Sequence, residues 1–225
     1  AKSKVGYANP NLESLVALRP ELIVAPREFH RAHVLAKLEE LKNPVLLLEA
    51  TSVENIFSHI HTLGRIFDRS TEAHAMTAAM RSRMAEISSR TEHLPRIRVL
   101  YVINSQPLIT VGPGSYIHQM IGLAGGTNIA SGAATPYPRL TMETVLKEDP
   151  EVLIFPMRSV ETVTRSEHQE CRRRTTLTAV QQNRLREVSA NALNRPGPRV
   201  MEGLEELVRV IHPEAFPPES VPVQP

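Results

Sequence analysis

The chain writes one helix–turn–strand pattern twice. Asn11–Pro26 reads NLESLVALRPELIVAP and Thr141–Pro156 reads TMETVLKEDPEVLIFP, in step and without a gap. Glu13 matches Glu143, Pro20 matches Pro150, Glu21 matches Glu151 and Pro26 matches Pro156, while Leu12/Met142, Ser14/Thr144 and Leu22/Val152 exchange like for like. In the first copy a capping residue, Asn11, precedes helix-spaced apolar residues, Pro20 stops the helix, and ELIVA forms a short continuous apolar run. A run of that kind suits a parallel strand buried on both faces. One such unit on each side of the chain's midpoint predicts two α/β lobes.

The segments around the repeat extend this layout. EFHRAHVLAKLEELKN is an amphipathic helix ending before Pro44, PVLLLE a buried strand, and SVENIFSHIHTLGRIF a helix opened by Ser52. This alternation implies a small doubly wound lobe over 1–68. Residues 69–94 hold neither Gly nor Pro and read as one long helix ended by Pro95, with Met76, Met80, Met84 and Ile87 as its core stripe. RIRVLYVI and PLITVG then read as strands, GSYIHQMIGLAGG as a helix closed by Gly125–Gly126, TTLTAVQQNRLREV as helix and short strand, and RPGPRVMEGLEELVRVIHP as a terminal helix. These place a second lobe over 95–213 and a Pro-rich tail over 214–225. The predicted fold is α/β, two doubly wound, Rossmann-like lobes bridged by one long α-helix, and ligands are expected in a cleft between the lobes.

Composition removes several function classes. A net charge of +2 makes no case for nucleic acid, and Arg172–Arg174 reads as a solvated basic patch. The single cysteine, Cys171, excludes an internal disulfide and a Cys-based zinc site. No apolar run approaches the roughly 20 residues of a membrane helix. The opening AKSKVGYANP has neither an initiator Met nor a signal peptide and reads as a processed or truncated product. VGPGSY lacks the Lys of a P-loop and the third Gly of a dinucleotide fingerprint, so it reads as a structural turn. His30 and His33 stand three apart on a helix, but no HExxH or GxSxG accompanies them, and no catalytic or metal-binding residue is assigned. An enzyme is not expected.

The loops expected to face the cleft hold three of the four tyrosines together with several arginines. Scarce aromatics beside arginines suit a large, flat or anionic ligand. The candidate binding residues are Tyr7, Asn9, Arg27, Phe29, His30, Asn104, Ser115, Tyr116, Tyr137, Arg139 and Arg195.

VGYANPNLESLVALRPELIVAP, TVGPGSYIHQMIGLAGGTNIA, YPRLTMETVLKEDPEVLIFP and NRPGPRVMEGLEELVRVIHPE together resemble the helical-backbone substrate-binding proteins of ABC importers, the cobalamin, iron–siderophore and haem receptor class. The resemblance runs from Val5 to Pro213. It implies two lobes on a rigid bridging helix, a ligand between them, no cofactor, and a monomer that docks on an ABC permease dimer through one surface glutamate per lobe. By position in the repeat these are Glu13 and Glu143. Periplasmic or lipid-anchored extracytoplasmic localisation is implied, as is additional β-α-β structure ahead of the VGxY segment, so the first lobe is expected to be incomplete. Cobalamin or a related corrinoid is the ligand the segments resemble most, with ferric siderophore second and haem third; for haem, Tyr7, His30 or Tyr116 is the axial candidate. Two rivals are a chelatase-like metal-handling enzyme using the same cleft, with His30 and His118, and a non-binding scaffold.

Overall fold

The computed structural model describes residues 11–27, 32–157 and 176–216. It divides into two compact units, Ala1–Glu49 and Ala50–Pro225. The segment expected to finish the first lobe, α3 (Val53–Ile66), therefore falls in the second unit, where it packs on α4.

In the first unit, helix α1 (Leu12–Ala17) leads to β1 (Ile23–Pro26), and α2 (Ala32–Glu40) leads to β2 (Val45–Leu48). The two strands pair in parallel, Ile23 opposite Val45 and Pro26 opposite Leu48. Every residue of β2 is only half-buried, and β1 pairs with no second strand among the described residues.

The second unit is built on a four-stranded parallel sheet in the order β6-β3-β7-β8. Its strands are β3 (Ile97–Tyr101), β6 (Gly126–Asn128), β7 (Val152–Met157) and β8 (Leu185–Ser189). Side chains alternate between the faces of a strand, and here both faces are dry. Val99, Tyr101, Val152 and Ile154 enter one core with α3, α4 (Ser70–Ser89), α5 (Tyr116–Leu123) and α9 (Val200–Ile211). Leu100, Val102, Leu153 and Phe155 enter the other with residues from α6 (Met142–Glu148), Leu177, and Ala179 of α7 (Thr178–Gln181). The short helix α8 (Ala190–Leu193) links β8 to α9. The α/β fold with parallel sheets is the expected one.

Four local expectations are corrected. The long helix ends at Ser89 rather than Leu94, because Thr91 turns inward, 3% exposed, with its hydroxyl 3.3 Å from the Leu123 carbonyl. Its inward stripe runs Ala73, Thr77, Met80, Met84 and Ile87, while Met76 is 44% exposed. Small residues take that place because α3 lies close: a Cβ added to Gly64 would stand 2.5 Å from the Ala73 Cβ. PLITVG is not a strand of the main sheet; Leu108–Ile109 (β5) pairs antiparallel with Asn104–Ser105 (β4). Gly126, expected to close a helix, instead opens β6 (Gly126–Asn128), since Gly125 turns the chain at φ 80° and directs it beside β3.

The repeat is real in three dimensions. Asn11 caps α1, its side chain accepting from the Ser14 amide at 2.8 Å, and Thr141 caps α6, accepting from the Thr144 amide at 3.1 Å. Both helices end in a left-handed residue before the proline: Arg19 at φ 46° and Asp149 at φ 42°. Proline disfavours the right-handed helical region for the residue before it, so each helix stops here, and both copies make the turn with a left-handed residue that is not glycine. Asp149 then does more than turn. Its carboxylate accepts from the Thr178 amide at 2.9 Å and the Thr178 hydroxyl at 2.6 Å, which fixes the start of α7. Those bonds hold its carboxyl below the usual carboxylate range.

Arg19→Gly is therefore expected to be neutral or to stabilise by up to about 1 kcal/mol, because a left-handed non-glycine residue costs about 1–2 kcal/mol. Asp149→Gly relieves the same strain but loses two hydrogen bonds, worth about 1 kcal/mol each, and should be net destabilising; urea unfolding decides the signs. The Asp149 contribution is present above about pH 4 and is lost as pH falls through its depressed folded value. Wild-type protein should accordingly lose more stability between pH 5 and pH 2 than Asp149→Gly, and equal losses would refute the assignment.

Candidate ligand-binding loops at the carboxyl edges of the sheets

In a parallel sheet the loops after the strand ends converge on one edge, and ligands of such folds bind there. The second unit gathers four of its sequence-predicted residues, or their supports, at that edge. Beyond β3, the β4–β5 hairpin carries Asn104, whose Nδ2 donates to the Pro107 carbonyl at 2.8 Å. The segment from Pro136 to Leu140 pairs alongside, with Thr110 N 3.1 Å from Pro138 O, Gly112 N 2.8 Å from Pro136 O and Leu140 N 3.0 Å from Leu108 O. That pairing displays Tyr137, 45% exposed, and the exposed Arg139 on one braced strip. Beyond β8, the loop after α8 carries Arg195, also exposed.

Two predicted residues turn inward instead. Ser115 is 2% exposed and caps α5, its hydroxyl accepting from Ile117 N at 3.3 Å. Tyr116 is 4% exposed, sits in the core, and donates to the Leu193 carbonyl at 2.5 Å. Tyr101, the tyrosine the loop argument left out, does parallel work from the end of β3: its hydroxyl lies 2.7 Å from Asn194 Oδ1. Burial, with Tyr116 and Glu206 nearby, raises the Tyr101 phenol well above its ordinary value, so it stays a donor. Two buried hydroxyls thus grip consecutive residues, Leu193 and Asn194, immediately before Arg195. The sequence showed Tyr101 only as one more apolar-run residue, and no spacing rule linked it to a loop far along the chain.

A buried polar cluster holds the Gly-rich turn. Asn128, 3% exposed at the end of β6, donates through Nδ2 to the Val111 carbonyl at 2.8 Å and accepts from Ala130 N at 3.0 Å. The same Nδ2 is 2.9 Å from His118 Nδ1, so that ring nitrogen is the acceptor and the imidazole is neutral. Burial depresses its proton affinity in the same direction. A Cβ at Gly112 would lie 2.5 Å from the Thr135 carbonyl, so this turn seats the Tyr137 strip only with glycine there.

In the first unit, Arg27 follows β1 and is paired with Glu49 after β2, Nε to Oε2 3.5 Å, an exposed pair at the corresponding carboxyl edge. Tyr7, Asn9, Phe29 and His30 lie outside the described residues, as do Arg158, Cys171 and the Arg172–Arg174 run. Glu13 and Glu143 are both exposed, each in the first turn of its capped helix. Among the described residues, no three His, Cys, Asp or Glu side chains are grouped to hold a metal ion, and no helix is long and apolar enough to cross a membrane.

Comparison with known proteins matches this architecture. The family model described as Periplasmic binding protein matches residues 2–192. A vitamin B12-binding protein of Vibrio cholerae serotype O1 is 26% identical over 197 residues, 88% of this chain and 70% of that protein. A cobalamin-binding protein of Halobacterium salinarum is 30% identical over 210 residues, 90% of this chain and 56% of that protein. The crystal structure of the periplasmic vitamin B12 binding protein of Vibrio cholerae superposes with a TM-score of 0.77 at 25% identity, covering 93% of this chain and 80% of that one. A periplasmic heme binding protein from Pseudomonas aeruginosa gives a TM-score of 0.81 at 25% identity, over 93% of this chain and 78% of that one. With a family match over most of its length and the same α/β fold, the chain belongs to the periplasmic binding protein family.

Proposed function

We propose that the protein is an extracytoplasmic substrate-binding protein that captures cobalamin or a related corrinoid and delivers it to an ABC permease. The observation that carries the corrinoid reading is the pair of relatives named for vitamin B12 and cobalamin, one bacterial and one archaeal, each aligned over about nine-tenths of this chain. The braced strip at the carboxyl edge fits such a cargo: Tyr137 offers a flat face, and Arg139 and Arg195 offer fixed cations for amide and phosphate oxygens. Arg27, Asn104 and the remaining predicted residues Tyr7, Asn9, Phe29 and His30 complete the proposed ligand set, with Ser115 and Tyr116 supporting it from below. Capture and release make and break no covalent bond. Haem is the second reading, supported by the likeness to the heme binding protein of Pseudomonas aeruginosa.

Docking falls to Glu13 and Glu143 in this proposal. Either glutamate alone has a plain electrostatic use, since an acid in a first helical turn gains about 0.3–1 kcal/mol from the helix dipole. That use does not require one on each copy of the repeat, in step and exposed on both. The protein is read as a monomer that presents these two carboxylates to arginines of the permease dimer.

Incubation with cyanocobalamin, haemin or a ferric hydroxamate, followed by desalting, should leave cyanocobalamin's visible absorbance on the protein. Retained haemin alone would replace the corrinoid reading with the second one. The double variant Glu13→Lys/Glu143→Lys should bind cyanocobalamin as wild type does but fail to stimulate the permease ATPase. A fall in ligand affinity with stimulation intact would overturn the docking assignment.

A further inference from the structure

A groove of about 460 Å³ lies between α3 and α4, lined by residues that include Glu54, Phe57, His61, Arg65, His74 and Arg81. It shares no residue with the loops at the carboxyl edge, and the proposed transport role makes no use of it. Two imidazoles meet there, His61 from α3 and His74 from α4, with ring centres 4.4 Å apart and planes at 73°.

Each ring is oriented through one nitrogen. His74 Nδ1 lies 2.6 Å from the Ser70 carbonyl oxygen; a carbonyl only accepts, so that nitrogen carries the proton. His61 Nε2 lies 2.7 Å from Thr77 Oγ1. The Thr77 hydroxyl is itself directed at the helix carbonyls of Ala73 and His74, at 2.9 and 3.1 Å. Its oxygen therefore accepts from His61 Nε2–H. In their neutral forms the rings keep lone pairs on His61 Nδ1 and His74 Nε2, and neither atom has a hydrogen-bond partner among the described residues. One nitrogen tied to a carbonyl or hydroxyl and the other left bare is how metal-ligating histidines are held.

We propose that His61 and His74 form a two-histidine site for a first-row divalent transition ion that clamps α3 to α4, with water completing the coordination. Metal–nitrogen bonds of about 2.0–2.1 Å in a tetrahedral shell set two ring nitrogens about 3.3 Å apart. The ring centres stand 4.4 Å apart, and the proposal requires the exposed His74 to adjust its ring until the two bare nitrogens meet that spacing. Imidazole selects nickel, copper or zinc, whereas magnesium and calcium need oxygen ligands. The one acid among the described residues lining the groove, Glu54, is tied to Arg81, which also stacks on Phe57. Arg65, which has no acidic partner among the described residues, adds positive charge on the rim, so the affinity is modest and its removal is informative.

The untagged 225-residue chain is titrated with Ni²⁺ and with Zn²⁺ by calorimetry, with Mg²⁺ for comparison, and its melting temperature is followed in parallel. One Ni²⁺ or Zn²⁺ per chain should bind and raise the melting temperature, with no saturable Mg²⁺ binding. His61→Ala and His74→Ala should each weaken binding at least tenfold, and Arg65→Glu should tighten it several-fold. No saturable binding, binding unchanged in both histidine variants, or weaker binding in Arg65→Glu overturns the site. Circular dichroism checks folding, and if His61→Ala proves unfolded the exposed His74→Ala decides.

Discussion

Strands β3 and β7 carry apolar side chains on both faces, and such strands cannot border water. Val99 and Tyr101 point to one core, Leu100 and Val102 to the other, and the same alternation runs through Val152–Phe155. Two dry faces require two helical layers, so α3, α4, α5 and α9 are committed to one side and α6 and α7 to the other. What remains open to solvent is the sheet's ends. Parallel connections bring every strand out at the same edge, and the β4–β5 hairpin, the Tyr137 strip and the Arg195 loop are the chain's way of returning from it. The candidate loops at that edge are thus a consequence of the double burial.

Rigidity at that edge comes from groups the sequence hides. Tyr101 and Tyr116 reach from different elements to Asn194 and Leu193, and Asn128 bonds both the backbone of the Gly-rich turn and His118. Each interaction removes a buried polar group's desolvation cost while pinning a loop. The exposed residues Tyr137, Arg139 and Arg195 therefore stand on a braced backbone, which would lower the entropy cost of gripping the proposed ligand.

Much of this was legible because local rules and the repeat agreed. Asn11 announced its cap, Pro20 its helix end and ELIVA a strand, and the repeat matched that segment in step with Thr141–Pro156. The misreadings have physical causes. Met76 has the size of a core residue, but α3 approaches so closely at Gly64 that only Ala73 and Thr77 fit the facing surface. Gly126 and Asn128 are poor strand formers, and the segment is a strand because Gly125 turns it against β3. Tyr116 followed a turn and looked available to a ligand, yet its partner Leu193 is a contact between distant segments that no periodicity encodes. The helix ends before Pro20 and Pro150 were legible from the prolines, but the left-handed turns at Arg19 and Asp149 and the Asp149–Thr178 bonds required the fold.

We propose that this scaffold captures a corrinoid. Calorimetric titration of the folded chain with cyanocobalamin tests it most directly. The account predicts saturable binding of one cyanocobalamin per chain, weakened at least tenfold by the combined substitution Tyr137→Ala/Arg139→Ala. No saturable heat with folded protein, or binding indifferent to that substitution, would contradict it.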